Sequence, residues 1–176
     1  MSDEITRGEF LRGFFKRGAD EVKLGAKIDA LNKKPKPPWA VTDFNEKCDR
    51  CGDCATACPT GVISLYPKET GDMAGVPYLN FLSSMCDFCG DCAIACKPNA
   101  INRETGKKNL GLAVANNACL VTKNVICDVC LDYCQERAIT IAPGVIKIDA
   151  GKCTGCGSCV APCPTRALEV KPLKVA

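Results

Sequence analysis

Sixteen cysteines, gathered into four short runs, constrain this chain of 176 residues more than any other feature. Three runs have the spacing Cys-x2-Cys-x2-Cys-x3-Cys, whereas the third along the chain has Cys-x7-Cys-x2-Cys-x3-Cys. Cysteine at this density is typical of chains that metal ions or disulfides hold together. In order, the four runs are Cys48, Cys51, Cys54 and Cys58; Cys86, Cys89, Cys92 and Cys96; Cys119, Cys127, Cys130 and Cys134; and Cys153, Cys156, Cys159 and Cys163.

Metal is favoured over disulfides, because disulfides need an oxidising compartment and therefore an export signal. The first forty residues lack the uninterrupted apolar segment of such a signal, and no stretch of about 18 apolar residues could span a membrane. We therefore expect a cytoplasmic protein. Histidine is absent, which removes mixed Cys/His zinc sites. All-cysteine zinc sites and a disulfide framework remain as alternatives.

The spacing of the runs is a signature of [4Fe–4S] cluster binding. Two-residue gaps let one loop present three thiolates, and the three-residue gap, about one helical turn, directs the fourth cysteine towards a second cluster. All sixteen cysteines are thus expected to be iron ligands of four clusters. The longer gap after Cys119 leaves open three clusters, or a third cluster degraded to [3Fe–4S].

Two pairings of the runs are compatible with this crossed ligation. Sequential pairing predicts four ligand sets: Cys48, Cys51, Cys54 and Cys96; Cys86, Cys89, Cys92 and Cys58; Cys119, Cys127, Cys130 and Cys163; and Cys153, Cys156, Cys159 and Cys134. A nested arrangement, with the outer runs paired around the inner two, uses the same sixteen residues. The 18-residue interval between Cys134 and Cys153 favours sequential pairing.

A repeat beyond the cysteines predicts the fold. An aliphatic residue, preceded by an apolar one, stands five positions after each run, at Ile63, Ile101, Ile139 and Leu168. Strand-like segments follow runs at 63–66, 139–142 and 168–170, and precede runs at 78–82, 112–115 and 145–149. Each unit reads as strand, cysteine loop, short helix, strand. We expect an α+β fold of two bacterial dicluster ferredoxin-like lobes, residues 41–108 and 109–176.

Residues 1–40 are predicted to form a basic leader helix and a Pro-rich linker. Phe10 and Phe14, like Leu11 and Phe15, are spaced to share one helix face, and prolines at 35, 37 and 38 end any helix. Residues 1–36 hold nine Lys/Arg against six Asp/Glu, whereas the remainder has fourteen of each. The leader packs on its own protein, docks a partner or contacts a membrane surface, and nucleic-acid binding is not favoured.

No catalytic motif accompanies the cysteines. The sequence has no P-loop, no dinucleotide-binding glycine pattern and no histidine for a catalytic triad. Because the clusters use every cysteine, none is left as a nucleophile. We expect an electron carrier or accessory protein without a catalytic site of its own.

Four segments resemble the NapF-type proteins, ferredoxin-like cytoplasmic accessory proteins of the periplasmic nitrate reductase system. They are residues 6–13, residues 36–39, the altered third run and residues 153–159. Gly8 stands where the family pattern has a second arginine, so we expect no twin-arginine export signal. The resemblance implies a protein that binds the cytoplasmic precursor of the nitrate reductase catalytic subunit and assists its maturation before export. An electron-transfer subunit of another anaerobic redox complex is the alternative.

Overall fold

Short strands and single-turn helices surround the cysteine loops in the computed structural model, which describes residues 34–106 and 109–172. These residues belong to one unit of the chain. The predicted leader helix, with Phe10, Leu11, Phe14 and Phe15, lies outside the described residues. Within the described ranges, no helix has the length and apolar character needed to cross a bilayer.

The first lobe contains the first two cysteine runs. Strand β1 (Ile63–Leu65) pairs antiparallel with β2 (Pro77–Leu79), and the outer ends of the lobe meet in a single bridge between Ala40 and Ile101. The helices here are Phe44–Lys47, Asp53–Thr56 and Asp91–Ile94, with 3₁₀ turns at Lys68–Met73 and Arg103–Thr105.

The second lobe repeats this plan with longer strands. Its outer strands β3 (Leu112–Ala115) and β6 (Leu168–Lys171) pair antiparallel, and β4 (Ile139–Ala142) and β5 (Val145–Ile148) form a hairpin between them. The α-helix Val129–Asp132 and a 3₁₀ turn at Val121–Lys123 lie in its first unit. The structure thus has the mixed helix and strand content of two ferredoxin-type lobes.

The aliphatic positions of the repeat form the core of both lobes. Ile63, Ile101, Ile139 and Leu168 are all buried, as are the apolar residues before them, Val62, Ala100, Ala138 and Ala167. Burial of each large aliphatic side chain is worth about 1.5–3 kcal/mol. The repeat predicted from the sequence is therefore confirmed as the packing pattern of the fold.

The expectation of a short helix in every unit is wrong for the fourth. In the first two units, the N–H groups of Ala57 and Ala95 donate to the carbonyls of Asp53 and Asp91, at 2.9 and 3.0 Å, and close one α-helical turn. Pro162 occupies the equivalent position in the fourth unit and has no N–H. The chain forms turns there instead of a helix.

Residues 35–40 pack against both repeats of the first lobe. The N–H of Leu79 donates to the carbonyl of Pro35 at 2.8 Å, and the N–H of Asn102 donates to the carbonyl of Trp39 at 2.9 Å. The Trp39 side chain is buried. The Pro-rich segment is therefore bonded to the strand before the second run and to the residues after it.

Candidate metal centres

Thiols from both repeats of the first lobe surround a cavity, which we name the first site. Cys48, Cys51 and Cys54 reach it from the first run, and Cys96 reaches it from the end of the second. Phe44, which has 0 % exposure, forms part of the apolar wall. The fourth cysteine of the second run has thus crossed to the neighbouring loop.

The second site has the reciprocal composition. Its cavity is lined by Cys86, Cys89 and Cys92 from the second run and by Cys58 from the end of the first. Trp39 stands in its wall, together with the apolar residues Pro38, Val62, Ile63 and Leu79. The two runs of the first lobe have therefore exchanged their last cysteines.

The third site includes the altered run. Its cavity is lined by Cys119, Cys127 and Cys130, and by Cys163 from the fourth run. Cys119 is buried and precedes the 3₁₀ turn Val121–Lys123, which takes up part of the seven-residue gap. Despite the altered spacing, Cys119 therefore faces the same cavity as the other three thiols.

The fourth site is gathered around Cys159. Burial, together with the neighbouring thiolates at Cys156, Cys153, Cys130 and Cys134, raises the pKa of Cys159 to about 12. Cys153, Cys156 and Cys134 are the neighbours of Cys159 that line none of the first three cavities, and we name these four thiols the fourth site. Cys130 belongs to the third, so the two sites of this lobe lie close together.

The buried thiols cannot all ionise without a compensating positive charge. Burial, together with the nearby thiolates at Cys48, Cys96 and Cys51, raises the pKa of Cys54 to about 12. Burial likewise raises the pKa of Cys92 to about 12 and that of Cys130 to about 11. Iron supplies the charge that four neighbouring thiolates require.

At each of the first three sites, the thiols surround a cavity and do not converge on the position of a single metal ion. Among residues 34–106 and 109–172, no three cysteine or carboxylate side chains converge closely enough to hold one metal ion. All sixteen cysteines are free thiols in the structure. Four thiols spread around a cavity suit a cluster of several iron and sulfur atoms, so the residues present fit [4Fe–4S].

Backbone amides point at the sulfur of the last cysteine in three of the runs. The N–H groups of Ile101, Ala138 and Ala167 donate to the Sγ atoms of Cys96, Cys134 and Cys163, each at 3.3 Å. Burial acts to raise the pKa of Cys163, but the donors at Ala167 and Thr165 outweigh it and hold that pKa below its ordinary value. These donors stabilise a thiolate ligand.

Glycine between the ligands permits the tight turns of the loops. Gly52 has φ +83° and Gly157 has φ +79°, in the left-handed region that favours glycine. A Cβ at Gly157 would overlap the ring of Phe81. Glycine at these positions therefore allows turns and close contacts that a side chain would prevent.

Two features of the sites were not predicted from the sequence. Trp39 and Phe44 line the cavities, and no spacing rule identifies them. Thr60 and Thr165 place their hydroxyls 3.5 and 3.8 Å from the sulfurs of the last cysteines in their runs. The signal for this pair was the tripeptide Cys-Pro-Thr, which occurs at 58–60 and again at 163–165.

Comparison with known proteins agrees with these centres. The model of a 4Fe-4S dicluster domain matches residues 47–100, and that of a 4Fe-4S binding domain matches residues 146–169. The chain is 34% identical to the ferredoxin-type protein NapF of Haemophilus influenzae, over 98% of this chain and 97% of that protein. It is 32% identical to NapF of Escherichia coli, over 77% and 84% of the two chains. It is 33% identical to the methylamine utilization ferredoxin-type protein MauM of Methylophilus methylotrophus, over 73% and 65%.

The matching family models and the cysteine thiols of the sites both indicate [4Fe–4S] clusters. Both matching models describe [4Fe–4S] domains, and the cysteines they cover belong to the thiol sets described above. Ferredoxin-type proteins are electron carriers. With 34% identity over nearly its whole length, this chain belongs to the NapF-type ferredoxins and binds [4Fe–4S] clusters.

Proposed function

We propose that this chain holds four [4Fe–4S] clusters in its four thiol sets and has no catalytic site of its own. The observation that carries this proposal is that three cavities are each lined by four thiols, which leaves Cys153, Cys156, Cys159 and Cys134 as the fourth proposed set. The sets follow sequential pairing of the runs, and lobes of residues 41–108 and 109–176 contain two each.

The chain's own residues perform three tasks in these sites. Thiolates hold the iron, apolar side chains such as Trp39 and Val121 limit access of water, and backbone N–H groups donate to ligand sulfurs. A cluster bound in such a site would accept and release one electron. Solvent exposure and hydrogen bonds to sulfur then set its reduction potential.

Iron and acid-labile sulfide content, measured on protein purified without oxygen, tests the number of clusters. Four occupied sites correspond to about sixteen iron atoms per chain, and an empty third site would lower this to about twelve. Electron paramagnetic resonance (EPR) of the reduced protein identifies the cluster type. A zinc-loaded or disulfide-bonded chain would contradict the proposal.

The same chain is proposed to act in the cytoplasm, by binding the precursor of the periplasmic nitrate reductase catalytic subunit and assisting its maturation before export. The NapF-type sequence features and the similarity to proteins named NapF support this role. Anaerobic affinity purification of the tagged chain should recover the precursor that still carries its export signal. Unchanged nitrate reductase activity after deletion of the gene would count against the role.

An electron-transfer subunit of a different redox complex is the second candidate. The neighbouring arrangement of the sites favours it, and the relative MauM carries a name from methylamine utilization. This candidate predicts rapid reduction by a donor and a fixed stoichiometry with a mature catalytic partner. Recovery of the precursor without the mature enzyme would decide against it.

A further inference from the structure

A backbone hydrogen bond joins the two lobes at their iron-binding loops. The N–H of Cys86 donates to the carbonyl oxygen of Cys156 at 2.9 Å. Cys86 contributes its thiol to the second site, and Cys156 belongs to the fourth. Because each residue is also a proposed ligand, this single bond makes the second and fourth sites neighbours across the boundary between the lobes.

A tight contact next to this hydrogen bond also joins the two lobes. Phe81, buried at 7 % exposure, lies against Gly157 so closely that no Cβ could be accommodated there. The first lobe thus contacts the loop of the fourth run at two points, through Phe81 and through Cys86.

The opposite side of the same loop is bound to its own lobe. The N–H of Leu110 donates to the carbonyl of Thr154 at 3.0 Å, and the side-chain amide of Asn109 donates to the carbonyl of Cys153 at 2.6 Å. Residues 153–157 are therefore held between residues 109–111 and the first lobe, which fixes the separation of the second and fourth sites.

Within each lobe, the exchange of last cysteines makes the two sites neighbours. Cys54 lies in the first site, and Cys58, one turn later in the chain, lies in the second. The helices Asp53–Thr56 and Asp91–Ile94 of this lobe also contact each other. Cys130 of the third site and Cys134 of the fourth are related in the same way.

We propose that the four sites form one electron relay in the order first, second, fourth, third, which crosses between the lobes at Cys86 and Cys156. This inference rests on the proposed ligand sets. At each step, one electron passes from a site to its neighbour. The donor site is oxidised by one electron, and the neighbouring site is reduced by one electron. No bond forms or breaks, and an external one-electron reductant supplies the first electron. The first and third sites are the two ends.

The competing model has two independent lobes, each with two adjacent sites. Substitution of single cysteine ligands distinguishes this model from a single relay of four sites. Cys51→Ala removes the first site, an end of the relay, whereas Cys89→Ala removes the second, an inner member. Both cysteines are exposed and belong to the same lobe, so the variants are matched. The readout is EPR of the fully reduced protein, in which adjacent paramagnetic clusters broaden each other's signals and an isolated cluster does not.

If the four sites form one relay, Cys89→Ala leaves the first site without a neighbouring cluster, and its EPR spectrum should contain a narrow signal from that isolated cluster. Cys51→Ala leaves three consecutive sites, so its spectrum should contain only signals broadened by neighbouring clusters. Independent lobes predict an isolated signal in both variants, and this result would overturn the relay. Each variant should also lose about a quarter of its iron. Unchanged iron in both would instead refute the ligand assignment, so the two failures are distinguishable.

The second lobe allows the same comparison, in case a variant of the first fails to fold. Cys127→Ala removes the third site, the other end, and Cys153→Ala removes the fourth, an inner member. Only Cys153→Ala should show an isolated signal, in this case from the third site. An isolated signal in Cys127→Ala, with the fourth site retained by iron content, would contradict the order.

Discussion

Two threonines adjust the environment of the cysteine that ends a run. The Thr60 hydroxyl lies 3.5 Å from the sulfur of Cys58, and the Thr165 hydroxyl lies 3.8 Å from that of Cys163. Burial acts to raise the pKa of Cys58, but hydrogen bonds from Thr60, Ile63 and Val62 outweigh it, and the pKa falls below its ordinary value. A donor that stabilises the thiolate also stabilises the more negative, reduced form of a cluster that this sulfur binds.

Replacement of Thr60 by valine should lower the reduction potential of the second site. Valine keeps the shape of threonine but removes the donor, so the reduced form loses about 1 kcal/mol of stabilisation. For one electron this corresponds to a decrease on the order of 40 mV. An anaerobic redox titration followed by EPR measures the change.

Thr56→Val provides the matched control for this substitution. The Thr56 hydroxyl donates to the carbonyl of Gly52 at 3.4 Å and contacts no sulfur, so the potentials should stay unchanged. Equal shifts in the two variants, or a higher potential in Thr60→Val, would show that the hydroxyl of Thr60 does not stabilise the reduced site.

At the scale of elements, the segment 35–40 links the two repeats of the first lobe. Trp39 packs edge-to-face against Phe88 with ring centroids 6.5 Å apart, and the Arg103 guanidinium lies 5.6 Å from the Trp39 ring centroid. Trp39 also lines the second site. One side chain therefore packs on the second cysteine loop, on the residues that follow it and on the cavity itself.

Trp39→Ala should accelerate the loss of iron from the second site. Removal of a buried tryptophan typically costs about 3–5 kcal/mol, and the cavity it leaves would admit water and chelator. Anaerobic incubation with an iron chelator, followed by visible absorbance, gives the rate. Ile94→Ala, at a side chain 75 % exposed, should release iron as the unchanged protein does. Identical rates in both variants would exclude a protective role for Trp39.

The strands were accessible to sequence analysis because their alternating apolar residues follow the cysteine repeat. Segments 112–115 and 139–142 were predicted with the bounds that the structure shows, and the remaining strand ends differ by one to three residues, most at the end of the strand Pro77–Leu79. The fourth unit has no helix because Pro162 has no N–H to close the helical turn. The packing of Trp39 had no periodic signal, because an extended Pro-rich segment has none.

The grouping of the thiols could not be derived from spacing, since sequential and nested pairing use the same side chains. Strand pairing distinguishes them in the structure. β3 precedes the third run and pairs with β6 after the fourth, and the bridge between Ala40 and Ile101 encloses the first two runs in the same way. Such contacts between distant segments leave no local trace in the sequence.

For the molecule as a whole, the cluster sites take the place of a large hydrophobic core. The described sheets have only two strands each, and the full chain contains six phenylalanines, three tyrosines and one tryptophan. Buried residues such as Ile101, Val62 and Leu168 line the cavities themselves. A part of the apolar core therefore packs directly around the sites.

Removal of the clusters should unfold most of the chain. Without iron, each lobe would keep two cavities surrounded by thiols and would lose the cysteine–iron bonds that connect its two runs. In small domains held together by metal, the free energy of metal binding is the free energy of folding. Anaerobic chelation should therefore abolish the far-ultraviolet circular dichroism of the folded protein. Emission from Trp39, the only tryptophan, should shift to longer wavelength as the ring enters water. Addition of iron and sulfide should restore both signals, and spectra that survive complete iron removal would mean that the polypeptide folds independently of its clusters.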